Sequence, residues 1–185
     1  MSHGRREARL RRQAGFTLIE LLVATTIGLL VMSALTSVVV LTMISTNAAT
    51  GRVEASGQIR NFELFAYDDF ALSHPPVPSG CGTAGNPCTT QPMVLSGLRM
   101  ANQASGPATS FTVSYSWNTA TQSVTRAIGS SSQTAAGNVT SFSWYVDATG
   151  ARPVVVIALT VTIGFYNTSY SQSQTLLFYP RITSP

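Results

Sequence analysis

A long apolar run extends from Phe16 to Ile44, and Glu20 is its only charged residue. At a helical rise of about 1.5 Å per residue, this run exceeds the roughly 20 residues that cross a bilayer. From residue 45 to 72 the apolar positions recur at a roughly helical period between charged ones; these positions are Val53, Ile59, Phe62, Ala66 and Phe70. The pattern predicts one helix of about fifty residues, apolar all round over 16–44 and amphipathic over 45–72.

The proline-rich stretch after His74 ends this helix, because proline cannot continue it. Residues 73–185 then read as a β-rich domain. Alternating or continuous apolar positions predict strands at 92–98, 111–117, 122–128, 140–146, 153–163 and 175–182. The second and third of these are expected to pair as a hairpin, as are the fourth and fifth. Residues 129–138 are rich in small polar residues and predict a flexible connection. The order of elements predicts an α+β unit, with one face of an antiparallel sheet packed on the helix.

The charge of the chain is concentrated at its beginning. There is no lysine, and five of the eleven basic residues precede Gly15, opposed there only by Glu7, so the first fifteen residues carry the whole formal charge of +4. The rest of the chain is neutral, which argues against binding to nucleic acid through a basic surface. An arginine-rich flank before an apolar helix keeps that end cytoplasmic and exports the rest of the chain.

Three ordinary explanations of this N-terminal region compete. A cleaved secretory signal peptide has an apolar stretch of about 7–15 residues and a small-residue cleavage site; this run is longer and lacks a convincing site. A plain signal anchor would carry Glu20 inside the membrane at a cost of roughly 2.5–3.5 kcal/mol. A buried core helix fits neither the length nor the arginine cluster. None of the three accounts for all the features together.

The junction Gly15-Phe16-Thr17-Leu18-Ile19-Glu20 resembles the class III signal of type IV prepilins and pseudopilins. That signal has a short basic leader ending in Gly, then Phe, then an apolar stretch with Glu as the fifth residue after the Gly. All of these elements are present at that spacing, ahead of a helix long enough to span a membrane. By this resemblance the chain is type IV pilin-like.

The resemblance implies that a membrane-embedded aspartic prepilin peptidase removes residues 1–15 by cutting between Gly15 and Phe16, and that Phe16 becomes the N-methylated first residue. A glycine before the cut lets a protease approach the backbone closely. A buried carboxylate needs a cationic partner. For Glu20 the resemblance supplies one, the new α-amino group of Phe16 on a neighbouring subunit, and this pair would set the axial register between helices.

The resemblance also implies a pilin fold, in which residues 16–44 form the membrane and filament-core helix. The precursor would cross the inner membrane once, with a cytoplasmic N-terminus and residues 73–185 outside the cytoplasm. Its partners would be the prepilin peptidase, other pilin or pseudopilin subunits and the inner-membrane assembly platform. Residues 138–162 are similar to the C-terminal sheet of W-type minor pilins and J-type minor pseudopilins. Such subunits help to initiate or cap a type IV pilus or a type II secretion pseudopilus. A filament-tip subunit that binds a surface, DNA or a secretion substrate is the alternative.

Cys81 and Cys88 lie close together in a stretch rich in Gly, Pro and Thr. In an oxidising compartment this spacing favours a small-loop disulfide, which would contribute roughly 2–3 kcal/mol. Two free thiols are the alternative. Zinc wants about four ligands, and no further Cys or His stands nearby, so this is a poor zinc site.

No constellation in the sequence predicts an enzyme. His74 is the only histidine after Gly15, and it stands before two prolines. Asp68 and Asp69 are adjacent in the predicted helix, so they point to different faces, and we interpret them as a solvated helix face or a contact in its last turn. The sequence has no glycine-rich phosphate loop, HExxH motif or nucleophile elbow. We therefore expect no catalytic residue, no metal site and no cofactor.

Overall fold

The computed structural model describes residues 15–99, 109–165 and 168–180. This part of the chain forms one long helix followed by antiparallel strands, which is the α+β arrangement predicted from the sequence. The elements are α1 (Leu18–Ala71), β1 (Met93–Arg99), β2 (Thr109–Asn118), β3 (Ser123–Ile128), β4 (Ser131–Ala136), β5 (Val139–Asp147), β6 (Val154–Phe165) and β7 (Thr168–Phe178). The strands build two sheets, a first sheet in the order β1-β2-β3-β4 and a second in the order β5-β6-β7.

The predicted long helix is confirmed, since α1 contains 54 residues and ends just before the proline-rich stretch. The chain divides into two compact units, residues 1–45 and 46–185. In the described part of the first unit the large apolar side chains are exposed, and the helix is long and apolar enough to cross a membrane. Its hydroxyl side chains donate to backbone carbonyls one turn earlier; the donors are Thr25, Thr26, Ser33, Thr36, Ser37 and Thr42. These hydroxyls therefore do not need water as an acceptor.

In the second unit, one face of α1 packs against the strands to form the core. The buried apolar positions on this face are Gly51, Ala55, Ile59, Phe62, Ala66 and Phe70. The Phe62 ring makes edge contacts with Tyr115 of β2 and Phe142 of β5, so the helix touches both sheets. The prediction for Val53 was wrong, because its side chain is 74% exposed. The buried row passes instead through the small residues Gly51 and Ala55, where the helix approaches the strands closely.

The sheets confirm most of the predicted strands and both hairpins, which are β2–β3 and β5–β6. The prediction for residues 129–138 was wrong, because β4 occupies most of that segment and pairs with β3. Gly129 has a φ of +55°, a left-handed conformation that glycine adopts readily, and it starts the tight turn between the two strands. The sequence of β4, SSQTAA, lacks the β-branched apolar and aromatic residues that mark strands, so pairing with β3 rather than propensity makes it a strand.

Candidate processing and assembly site

Gly15 and Phe16 lie in non-helical backbone immediately before α1. The Phe16 side chain is 85% exposed, and a Cβ added at Gly15 would meet nothing within 4 Å. This segment of the chain is therefore open to another protein. The residues that precede it, 1–14, lie outside the described part, as does most of the predicted leader.

Thr17 and Glu20 cap the first turn of α1. The Thr17 backbone N–H and its hydroxyl donate to Glu20 Oε2 at 3.1 and 3.0 Å, and the Glu20 N–H donates to Thr17 Oγ1 at 3.3 Å. This reciprocal pattern is a capping box, which satisfies backbone donors that have no partner inside the helix. The spacing Thr-x-x-Glu at the start of an apolar run is its sequence signal, and the predictions from sequence missed it.

Glu20 therefore combines a local contact with an outward-facing charge. Within the chain its carboxylate bonds to Thr17, and that contact uses one of its two oxygens. The other oxygen has room for a cation, because Glu20 is exposed. A carboxylate in the first helical turn is also favoured by the helix dipole. The geometry leaves the second carboxylate oxygen of Glu20 able to accept a hydrogen bond from a cation outside the chain.

A second group of charged residues lies inside the second unit, at the C-terminal end of α1. Asp69 is fully buried and accepts two hydrogen bonds from the Arg126 guanidinium, at 2.6 and 2.7 Å. The Tyr115 hydroxyl donates to the same carboxylate at 2.6 Å. Tyr115 and Arg126 are cross-strand partners on β2 and β3. We call these three residues the Asp69 cluster; it joins the end of the helix to the first sheet.

The charges of Asp69 and Arg126 are paired with each other within the Asp69 cluster. Burial and the neighbouring Asp69 carboxylate raise the pKa of Tyr115 well above its usual range, so its hydroxyl keeps its proton. The hydrogen bonds to Asp69 raise the pKa of Arg126, which keeps its charge. The Arg126 guanidinium also lies 5.6 Å from the centre of the Phe65 ring, a cation–π distance. Both oxygens of the Asp69 carboxylate accept hydrogen bonds from within the chain, so the cluster serves to join elements together.

Of the two interpretations of Asp69, the solvated helix face was wrong and the contact in the last turn of α1 is confirmed, because Asp69 is buried and bonds to Tyr115 and Arg126. Asp69 follows Ala66 by three residues and Phe62 by seven, which places it on the buried face of the helix. Arg126 lies two residues after Val124 and two before Ile128 in β3, so it is on the same face as these apolar residues. A carboxylate on an apolar helix face and an arginine on an apolar strand face form a pattern that predicts a buried pair.

Cys81 and Cys88 form a disulfide, as predicted. The Cys88 N–H donates to the Trp144 carbonyl at 2.8 Å and its carbonyl accepts from the Trp144 N–H at 3.0 Å, which places the loop at the free side of β5. The Trp144 indole N–H donates to the Gln91 carbonyl at 3.1 Å. The disulfide therefore closes a loop that covers the fully buried Trp144.

Removing this disulfide should destabilise the second unit. In the chain-entropy estimate, a disulfide that closes a loop of this length contributes about 2–3 kcal/mol. We therefore expect the variant with Cys81→Ser and Cys88→Ser to have a free energy of unfolding, measured with urea, that is lower by this amount. A reducing agent should lower the stability of the wild-type chain by a similar amount. The control is the double variant itself, whose unfolding curve should not change with the reducing agent. Equal free energies of unfolding for the wild type and the double variant, both measured without reducing agent, would contradict the prediction.

In the described ranges, 15–99, 109–165 and 168–180, no three His, Cys, Asp or Glu side chains come together as a group that could hold a metal ion. His74 donates its backbone N–H to the Ser96 carbonyl at 2.8 Å, so its backbone belongs to the junction between α1 and β1. Asp147 caps its own turn by accepting from the Thr149 N–H and hydroxyl, which lowers the pKa of its carboxyl group. Both residues have local structural contacts.

The family model described as the prokaryotic N-terminal methylation motif matches residues 10–36, a stretch that contains Gly15, Phe16 and Glu20. Searches of curated proteins and of solved structures found no match. In the structure this motif is followed by the long helix and the antiparallel strands, the order of elements that the resemblance to type IV pilins implies.

Proposed function

We propose that this protein is a non-enzymatic structural subunit, a minor pilin or pseudopilin, that assembles into a type IV pilus or a type II secretion pseudopilus and helps to initiate or cap it. The observation that carries the proposal is the methylation motif at residues 10–36. It stands at the start of a helix whose large apolar side chains in the first unit, such as Leu29 and Leu41, are exposed. Exposed apolar surface of this kind needs a membrane or other helices around it.

The precursor is held in the inner membrane by residues 16–44. The arginines before Gly15 keep the N-terminus in the cytoplasm, and the second unit is exported. The disulfide between Cys81 and Cys88 supports export, because such bonds persist in oxidising compartments. After processing, the domain lies in the periplasm or at the cell surface as part of a filament.

Prepilin peptidase cuts between Gly15 and Phe16, and Phe16 becomes the N-methylated first residue of the mature chain. The exposed, non-helical backbone at this junction supports the assignment, because a protease needs extended and accessible chain. The cut removes the cluster of arginines and leaves a mature chain with balanced charges. It also creates a positive α-amino group four residues before Glu20.

Glu20 then guides assembly. Its carboxylate pairs with the α-amino group of Phe16 on a neighbouring subunit and neutralises both charges as the helix leaves the bilayer. The other contacts in the filament come from helix packing between residues 16–44 of successive subunits, after delivery by the inner-membrane assembly platform. The similarity of residues 138–162 to W-type minor pilins and J-type minor pseudopilins supports a minor subunit of one of these two types.

Mass spectrometry tests the processing step directly. In a host with active prepilin peptidase, the purified protein should begin at Phe16 and carry one added methyl group. Gly15→Leu should remain uncut, because a large side chain obstructs close approach to the backbone. Gly28→Leu is the matched control, since a Cβ at either glycine meets nothing within 4 Å, and it should be cut normally. An intact chain that begins at Met1 in such a host would contradict the proposed cleavage between Gly15 and Phe16.

A further inference from the structure

β7 forms an open edge of the second sheet. Among the described residues, its backbone hydrogen-bonded partner is β6 alone, and the register between these strands is unbroken. In an antiparallel strand, half of the backbone groups point away from a single partner. Proteins usually protect such an edge with charged residues, proline, a bulge or a covering element. The sequence of β7, TSYSQSQTLLF, has neither a charged residue nor a proline.

On the β4 side α1 bonds to backbone groups, whereas its printed contacts with β7 are to side chains, at Gln172 and Phe178. On the β4 side, the Asn61 amide donates to the Ala135 carbonyl at 2.9 Å, and Gln58 Oε1 accepts from the Gly137 N–H at 2.7 Å. On the β7 side, a groove of about 640 Å³ lies between α1 and the strand, and the bonded side chains Ser56 and Gln172 are part of its lining. Residues that line this β7 groove include Ser56, Arg60, Glu63, Tyr67, Gln172 and Gln174. The unprotected edge therefore has open space beside it.

Rows of hydroxyl groups cross the outer face of the second sheet and end at β7. In one row, Thr140 bonds to Thr162 at 3.0 Å and Thr162 bonds to Ser171 at 2.8 Å. In the other, Thr160 bonds to Ser173 at 2.9 Å. Cross-strand hydroxyl pairs of this kind stabilise neighbouring strands. Ser171 and Ser173 thus offer the same chemistry to a further strand.

We propose that β7 pairs in antiparallel fashion with β7 of a second copy of this chain, about a two-fold axis at Gln172. This register places Ser171 of one copy opposite Ser173 of the other, so both hydroxyl rows continue across the pair. It places Ser169 opposite Thr175 and the two Gln172 side chains opposite each other at the groove. No like charges meet between the two strands, because β7 has no charged residue. The result is a continuous six-stranded antiparallel sheet, an isologous contact.

The direction of β7 determines which copies can pair. Ser56 of α1 bonds to Gln172, and Phe70 stacks on Phe178 at 4.5 Å, so β7 runs alongside this part of α1 in the same direction. Antiparallel pairing therefore sets residues 56–70 of the two copies in opposite directions. Subunits exported into one membrane share one orientation, so the pair joins copies from separate filaments or membranes. This placement rests on the proposed function, whereas the pairing of the strands does not.

Single cysteines test the register in the full chain purified in detergent. Gln172→Cys should give a disulfide-linked dimer under mild oxidation, because only residue 172 lies opposite itself. Leu177→Cys is the control, since this side chain is 54% exposed on the same strand. The two copies of residue 177 would stand roughly 33 Å apart, whereas a disulfide needs Cα atoms within about 7 Å. Equal crosslinking at both positions, or none at residue 172, would overturn the proposal.

A charge exchange tests the same contact without crosslinking. Gln172→Lys and Gln172→Glu should each remain monomeric by light scattering, because each variant places like charges opposite one another. Equal mixing of the two variants should restore the dimer, with an affinity roughly tenfold above that of either variant alone. Association that is the same in all three samples would contradict pairing at Gln172. Since the detergent-solubilised chain needs neither cleavage nor a filament, this result and the processing test stand or fall separately.

Discussion

Replacing Glu20 with Gln should leave cleavage intact and block entry of the subunit into filaments. Gln can take the place of Glu in a capping box, so the first turn of α1 keeps its hydrogen bonds to Thr17. The variant loses the charge that would pair with the α-amino group of a neighbouring Phe16. Truncating one partner of a buried charge pair costs about 2–5 kcal/mol, so the affinity between subunits should fall by a factor of roughly 30 or more.

The measurement is the fraction of subunits recovered in sheared filaments compared with the membrane fraction, with mass spectrometry of both to confirm cleavage. Thr17→Ala is the matched control, because it breaks the capping box and keeps the charge. Loss of such a cap costs about 0.5–2 kcal/mol at the helix end, which leaves assembly close to normal. Filaments that incorporate Glu20→Gln but not Thr17→Ala would show that the cap, and not the charge, matters.

The long helix could be predicted because its signals are local. An apolar run of this length, a proline-rich stop and a conspicuous lone acid each carry their meaning in the sequence itself. The same holds for the Cys81–Cys88 disulfide, whose partners are seven positions apart. The capping box was just as local, since Thr17 and Glu20 stand at its standard spacing. Its signal is masked because Glu20 also stands out as the only charged residue of the apolar run.

The remaining errors concern contacts between residues far apart in sequence. β4 is a strand only because β3 lies beside it, and its small polar residues give no sign of this. Val53 has the apolar character of a core residue, but the close approach of α1 to Phe165 and Tyr170 selects Gly51 for the buried position. Asp69 and Arg126 are 57 positions apart, so each alone resembles an ordinary surface charge. Their buried faces become evident only when the periods of the helix and the strand are considered together.

Asp69→Asn should be the most destabilising of the conservative substitutions in the second unit. The Arg126 side chain is only 13% exposed, and the substitution leaves its charge without a counter-ion. Breaking a buried pair in this way costs about 3–5 kcal/mol. We expect the free energy of unfolding of the full chain, measured with urea in detergent, to fall by this amount. Asp68→Asn, at the exposed neighbouring position, is the matched control and should stay within about 0.5 kcal/mol of wild type.

A second comparison separates the cost of an unpaired charge from the value of the pair. Replacing both partners, Asp69→Leu with Arg126→Met, removes the charges together, and apolar substitutes for a buried pair are often close to neutral. Tyr115→Phe should be added, because its hydroxyl would otherwise lose its acceptor. We expect this triple variant to be more stable than Asp69→Asn. If it is instead as unstable, the Asp69 cluster contributes through its hydrogen bonds, and the helix end depends on them to dock on the first sheet.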